Sequence, residues 1–162
     1  MVKKMGLQVK LNTNGLLPNR LKELIRYGLV DYVAQDYKNC KEHFAETVGL
    51  GRSKSKAIAN SYYNNWRASL DCLRENHILY ELRTTVVREL HPLNVLMQMA
   101  ESIYKEENQN EPWFFQSFLK NRPIMCDYEN QNIVFSAYSN EEMEEMKHRL
   151  QRIAPGTRLK VK

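Results

Sequence analysis

The sequence predicts an α/β fold with a parallel sheet and crossover helices, either an open sheet or part of a barrel. Three observations carry this. Apolar residues alternate with period two in short runs, then recur every three or four residues in the run that follows, and the pairing repeats along the chain. Proline opens helix-like runs and glycine follows their ends, as helix starts and stops require. Each connection between strand-like runs is long enough to hold a helix, which parallel strands need because a tight hairpin cannot join them. Such a sheet must be covered on its faces, and its crossovers are right-handed in nearly all cases.

In residues 7–13, Leu7, Val9 and Leu11 alternate with polar neighbours and read as a strand, broken by Asn14-Gly15. Pro18 suits the first helical turn, where its missing amide has no partner to lose; Leu21, Leu24 and Ile25 give that helix an apolar face, and Gly28 a left-handed stop. Residues 29–37 are a second strand rich in Val and Tyr. A short helix around 41–48 and a loop with Gly49, Gly51 and Ser53 follow. From about 55 to 76, Ile58, Tyr62, Trp66, Leu70 and Leu73 make the apolar stripe of the longest helix, a core face rather than a stacking platform for bases. Residues 78–87 are dense in β-branched and aromatic side chains and form the third strand. Pro92 opens a helix with Leu93, Leu96, Met97, Ala100 and Ile103 on its face, and residues 113–119 are a fourth strand. Residues 120–138 read as a short strand or a loop. Ser139 with Glu142 fits a capping box; Met143, Met146, Leu150 and Ile153 make the stripe behind it; Pro155-Gly156 stops the helix and 157–162 closes the sheet.

At 162 residues the chain fits one domain, 1–162, and 43% hydrophobic residues suffice for one core. The absence of a long apolar run and of a signal-peptide pattern at the start points to a cytoplasmic protein. The net charge is +5, and Lys3, Lys4, Lys10, Arg20, Lys22 and Arg26 against Glu23 account for the whole surplus. These charges form no run of five, so they read as a solvated surface rather than a nucleic-acid footprint. Cys40, Cys72 and Cys126 are 32 and 54 residues apart, which fits neither a disulfide framework nor a C-x-x-C site. The four histidines show no local metal-binding spacing, so no metal ligands and no catalytic residues are assigned.

Parallel α/β sheets bind ligands at the carboxyl ends of their strands. Here those tips are polar in succession: Asn12-Thr13-Asn14-Gly15, Gln35-Asp36-Tyr37-Lys38, Arg83-Thr84-Thr85, and Gln116. A rim with donors and acceptors of both signs suits a zwitterionic or nucleoside-like molecule better than a bare phosphate, which favours a Gly-rich nest.

The series L-x-T-N-G at 11–15, V-D-Y-x-x-x-D-x-K at 30–38, Y-E-x-R-T-T-V-V at 80–87, Q-x-F at 116–118 and Y-S-x-E-E-x-E-E at 138–145 resembles the second half of the radical S-adenosylmethionine enzymes that activate glycyl-radical enzymes. Within that family the anaerobic ribonucleoside-triphosphate reductase activating proteins are the most similar. The resemblance spans most of 7–162 and implies a partial (β/α) TIM-type barrel. It also implies S-adenosylmethionine and a four-iron four-sulfur cluster as cofactors, and a glycyl-radical enzyme such as anaerobic ribonucleotide reductase as partner. Asn12, Thr13, Asn14, Asp36, Lys38 and Arg83 would line the S-adenosylmethionine pocket.

Three departures stand out. Asn12 takes the place of the Asp usual in the family's motif, and the C-x-x-x-C-x-x-C run that holds the cluster is missing, as is a Gly-Gly-Glu segment. The expectation is therefore a C-terminal portion that starts at the family's fourth strand, is inactive alone, and either self-associates or requires the missing half. The alternative is a non-enzymatic module that binds S-adenosylmethionine or a partner without redox chemistry.

Overall fold

One register relates five strands, β1 (Lys10–Thr13), β2 (Tyr32–Asp36), β3 (Leu79–Val86), β4 (Trp113–Ser117) and β5 (Thr157–Leu159), in a sheet whose spatial order is the chain order. All four pairings are parallel. The computed structural model describes residues 2–50, 56–104, 110–119 and 134–159. Since the order never reverses, right-handed crossovers all step the same way and lay their helices on one face. That is the arrangement of a partial β/α barrel, and it differs from a doubly wound sheet, whose order reverses at a switch point.

Strand pleat and register sort the side chains. Leu11, Val33 and Tyr80 share one face with Gln35, Leu82, Trp113 and Thr157, and the other face holds Lys10, Asn12, Tyr32, Ala34, Asp36, Glu81, Arg83, Phe114 and Arg158. Each strand residue in the two larger hydrophobic clusters belongs to the first set. One face is therefore apolar and helix-covered, and the opposite face is largely polar.

The helices are α1 (Pro18–Arg26), α2 (Lys41–Thr47), α3 (Lys56–Glu75), α4 (Leu93–Ile103) and α5 (Asn140–Leu150). Leu21 of α1 packs with Val33 and with Leu73 of α3. In the main cluster, Trp66 and Leu70 of α3, Leu96 and Met99 of α4 and Met146 and Leu150 of α5 close over Leu82, Trp113 and Phe115. Trp66 stacks on Tyr37 at 4.5 Å between ring centroids. The capping box forms as the spacing predicts, with Ser139 accepting from the Glu142 amide and the Glu142 carboxylate accepting from the Ser139 amide.

Two local expectations change. Ile58 and Tyr62, in the first two turns of α3, are exposed. The strands expected over 7–13, 29–37 and 113–119 shorten to Lys10–Thr13, Tyr32–Asp36 and Trp113–Ser117. At the first of these, the Asp31 carboxylate takes the Val9 amide, and the Val9 carbonyl accepts from the amides of residues 31 and 32, ahead of the ladder proper. Residues 120–133 and 160–162 lie outside the described residues, as does Cys126. Phe135, from the stretch read as strand or loop, packs with Val87 and Phe118.

The amino end of the sheet is closed by an ion pair. Arg74 of α3 meets Glu111 in a two-point fork, Nε to Oε1 at 2.9 Å and Nη2 to Oε2 at 2.6 Å, and Nη2 also donates to the Ile103 carbonyl.

Candidate functional site

Asp36 ends β2 on the polar face, and its Cα partner across the ladder is Arg83. Arg83 Nη2 donates to Asp36 Oδ1 at 3.0 Å, and Lys38 Nζ donates to Oδ2 at 3.0 Å. One carboxylate thus separates two cations, and the trio keeps a net positive charge. The Arg83 Nε is buried and has no hydrogen-bond partner among the described residues. This donor beside a net positive trio fits an incoming carboxylate.

The main chain behind the trio is fixed from several sides. The Tyr37 amide donates to the Arg83 carbonyl at 2.7 Å, and Thr84 Oγ1 donates to the Tyr37 carbonyl at 2.7 Å. Trp113 Nε1 in turn donates to Thr84 Oγ1 at 2.9 Å, and Trp66 Nε1 to the Asp36 carbonyl at 2.8 Å. On the loop that follows, buried Asn39 donates to Thr47 Oγ1 and to the Leu90 carbonyl.

A second polar group lies nearer the amino end of the same face. Lys10 Nζ and the Tyr32 hydroxyl each donate to Glu81, at 3.0 Å, and the Lys10 ammonium lies 4.7 Å from the Tyr32 ring centre. Burial, with the Glu81 carboxylate beside it, pushes the Tyr32 phenol up to about 12, so it serves as a neutral donor. Between the two groups Ala34 contributes only a methyl, flanked in register by Asn12 and Glu81.

The six rim residues are placed as follows. Asp36, Lys38 and Arg83 come together. Asn12 is exposed on the same face. Thr13 pairs with Gln35 and so belongs to the helix-covered side; its Oγ1 accepts from the Gly15 amide at 3.0 Å. Asn14 Oδ1 accepts from the Leu16 amide at 3.1 Å. These two oxygens stabilise the turn around Gly15, whose φ is +72° and whose carbonyl accepts from Ser69. Sequence reading missed Lys10, Tyr32 and Glu81, although counting back by twos from Asp36 and Arg83 would have found the last two. It also missed Trp66 and His91 as partners of the rim's main chain, since those contacts are remote in sequence.

Cys40 caps α2 and Cys72 lies within α3; both are buried, and burial pushes both thiols up. They sit in different units and do not fit the ligand set of an iron-sulfur cluster. Among the described residues no group of three His, Cys, Asp or Glu side chains is placed to hold a metal ion. No described helix is long and apolar enough to cross a membrane.

No family model matches the chain. Over 101 residues, 62% of its length, the chain is 30% identical to a curated protein of Methanocaldococcus jannaschii named "Putative glycyl-radical enzyme activating enzyme". The matched stretch spans 40% of that relative's own length.

Proposed function

We propose that this chain is the C-terminal, ligand-holding part of a radical S-adenosylmethionine activating protein for a glycyl-radical enzyme, with an anaerobic ribonucleotide reductase as the target. The observation that carries the proposal is the Asp36–Lys38–Arg83 trio at the carboxyl ends of adjacent parallel strands. The similarity to a named activating enzyme supports the same reading.

S-Adenosylmethionine joins an amino acid, a sulfonium and a nucleoside, so its site needs both signs of charge. Arg83, through its free Nε, and Lys38 would take the carboxylate. Asp36 would face the ammonium or a ribose hydroxyl, and Asn12, exposed on the same face, would border the pocket, while Thr13 and Asn14 would hold the turn beside it. When bound, the cofactor supplies a carbon radical on reductive cleavage of its sulfonium bond. The residues of this chain would fix its orientation and exclude water, which decides the bond presented for cleavage. Because the described cysteines do not fit a cluster, we assign the chain no redox step, and alone it is inactive.

A second reading, a binding module without redox chemistry, is favoured by Asn12 in the place of the family's Asp. Calorimetric titration with S-adenosylmethionine, and separately with a glycyl-radical reductase, separates the two readings from each other. Saturable cofactor binding that weakens at least tenfold in Asp36→Asn supports the pocket. Binding of the reductase alone supports docking, and binding of neither overturns both.

A further inference from the structure

We infer that His91 is a positioning residue for Lys38: its ring, neutral and carrying its proton on Nε2, fixes the peptide that follows Lys38 and so the direction in which the ammonium meets Asp36. His91 is 1% exposed and lies at the junction of β3 with α4. Its Nδ1 is 3.1 Å from the Val87 amide nitrogen, and its Nε2 is 2.8 Å from the Lys38 carbonyl oxygen. The partners leave one assignment. An amide N–H can only donate, so Nδ1 must be the acceptor; a carbonyl oxygen can only accept, so Nε2 must carry the proton. An imidazolium would set two donors against each other at Val87.

Lys38 itself is held on both sides. Its preceding carbonyl, on Tyr37, accepts from Thr84 Oγ1, and its own carbonyl accepts from His91. With both flanking peptide planes tied to β3 and the start of α4, the Lys38 Cα–Cβ bond has one direction, from which the side chain brings Nζ to 3.0 Å from Asp36 Oδ2. His91 is itself anchored, since its carbonyl accepts from the Tyr138 hydroxyl at 3.3 Å. The charged and titratable groups facing the ring are Lys38 on the loop and His43 on α2, and both disfavour a charge on His91, as burial does first. The bearing of His91 on ligand binding rests on the function proposed above, whereas its hold on Lys38 does not.

Two isosteres divide the ring. The amide nitrogen of Gln reaches the Nε2 position and can serve Lys38, and the amide oxygen of Asn reaches the Nδ1 position and can serve Val87. NMR on the full chain reads both bonds. In the wild type at pH 7, the ring nitrogens should show the neutral Nε2–H tautomer. His91→Gln should keep the Lys38 carbonyl resonance and speed Val87 amide exchange at least tenfold; His91→Asn should do the reverse. The Nδ1–H tautomer or an imidazolium at pH 7, or equal disturbance of Lys38 by both variants, overturns the inference, and the wild-type tautomer decides alone if a variant does not fold. A wild type that binds no S-adenosylmethionine would sink the proposed function and leave these readouts unmoved.

Discussion

Asp36 and Arg83 are cross-strand partners in the β2–β3 ladder, and their side chains meet at 3.0 Å on the face away from the helices. The bond depends on register, because a one-residue slip would send one of them to the opposite face. Asp36→Asn removes the charge between Arg83 and Lys38 and leaves the guanidinium mostly buried without its partner. It should cost about 1–3 kcal/mol by urea unfolding. Lys38→Met, at the more exposed end of the trio, should cost less, and the opposite ranking would count against the trio as drawn.

Glycine substitutions should rank by collision. A Cβ on Gly156 would lie 2.0 Å from the Glu111 carbonyl oxygen, and the Gly156 carbonyl accepts from the Trp113 amide. A Cβ on Gly15 would press on Gln35 and Trp66 at 3.0 Å with φ at +72°, whereas one on Gly28 meets nothing within 4 Å at φ +61°. Gly28→Ala should therefore cost only the left-handed penalty, about 1 kcal/mol. Gly15→Ala should cost more, and Gly156→Ala the most of the three, as read from urea midpoints.

Glu142 and His91 contribute to the acid side of stability in separate windows. The Arg88 guanidinium, bonded to both carboxylate oxygens, holds Glu142 at about 2 against an ordinary 4.5. Its contribution is present above about pH 4.5 and is lost as pH falls toward 2. Burial holds His91 below its ordinary 6.5, so proton uptake favours the unfolded chain and stability declines as pH falls below 6.5. Asp31, Glu89 and Glu141 are held low as well, so stability measured against pH should show a shallower acid slope in Glu142→Gln and a shallower slope just below 6.5 in His91→Gln.

If the chain associates, the outer edge of β1 is where pairing is expected. Among the described residues β1 pairs only with β2, and because Val9 turns its carbonyl to that neighbour, the alternation of a parallel strand sends the main chain of Lys10 and Asn12 outward. An open edge pairs with further strands. Sedimentation should show concentration-dependent association that Asn12→Pro weakens, since proline removes an outward amide. A strictly monomeric species at all concentrations contradicts this.

Short-range signals were legible in the sequence. The Ser139–Glu142 box, the Pro18 start and the apolar density of residues 78–87 each act within a few residues, and each formed as read. The rim was legible only in part. Gln35, Asp36, Tyr37 and Lys38 look like one polar tip, yet the pleat buries Gln35 and Tyr37 on the helix side and gives the open face Asp36. The bonds from Trp66 to the Asp36 carbonyl and from His91 to that of Lys38 span 30 and 53 residues, and no local pattern encodes them. Helical spacing marked Ile58 and Tyr62 as core because spacing reports a face and not what stands opposite it.

Strand order that never doubles back makes the molecule a flight of steps, in which each strand and its helix rest mainly on the steps beside them. A border drawn between two steps cuts no step in half. The carboxylate and guanidinium that clasp across β2 and β3 need only those two, so a polypeptide of this plan could be lengthened or divided at either margin while the clasp stays whole.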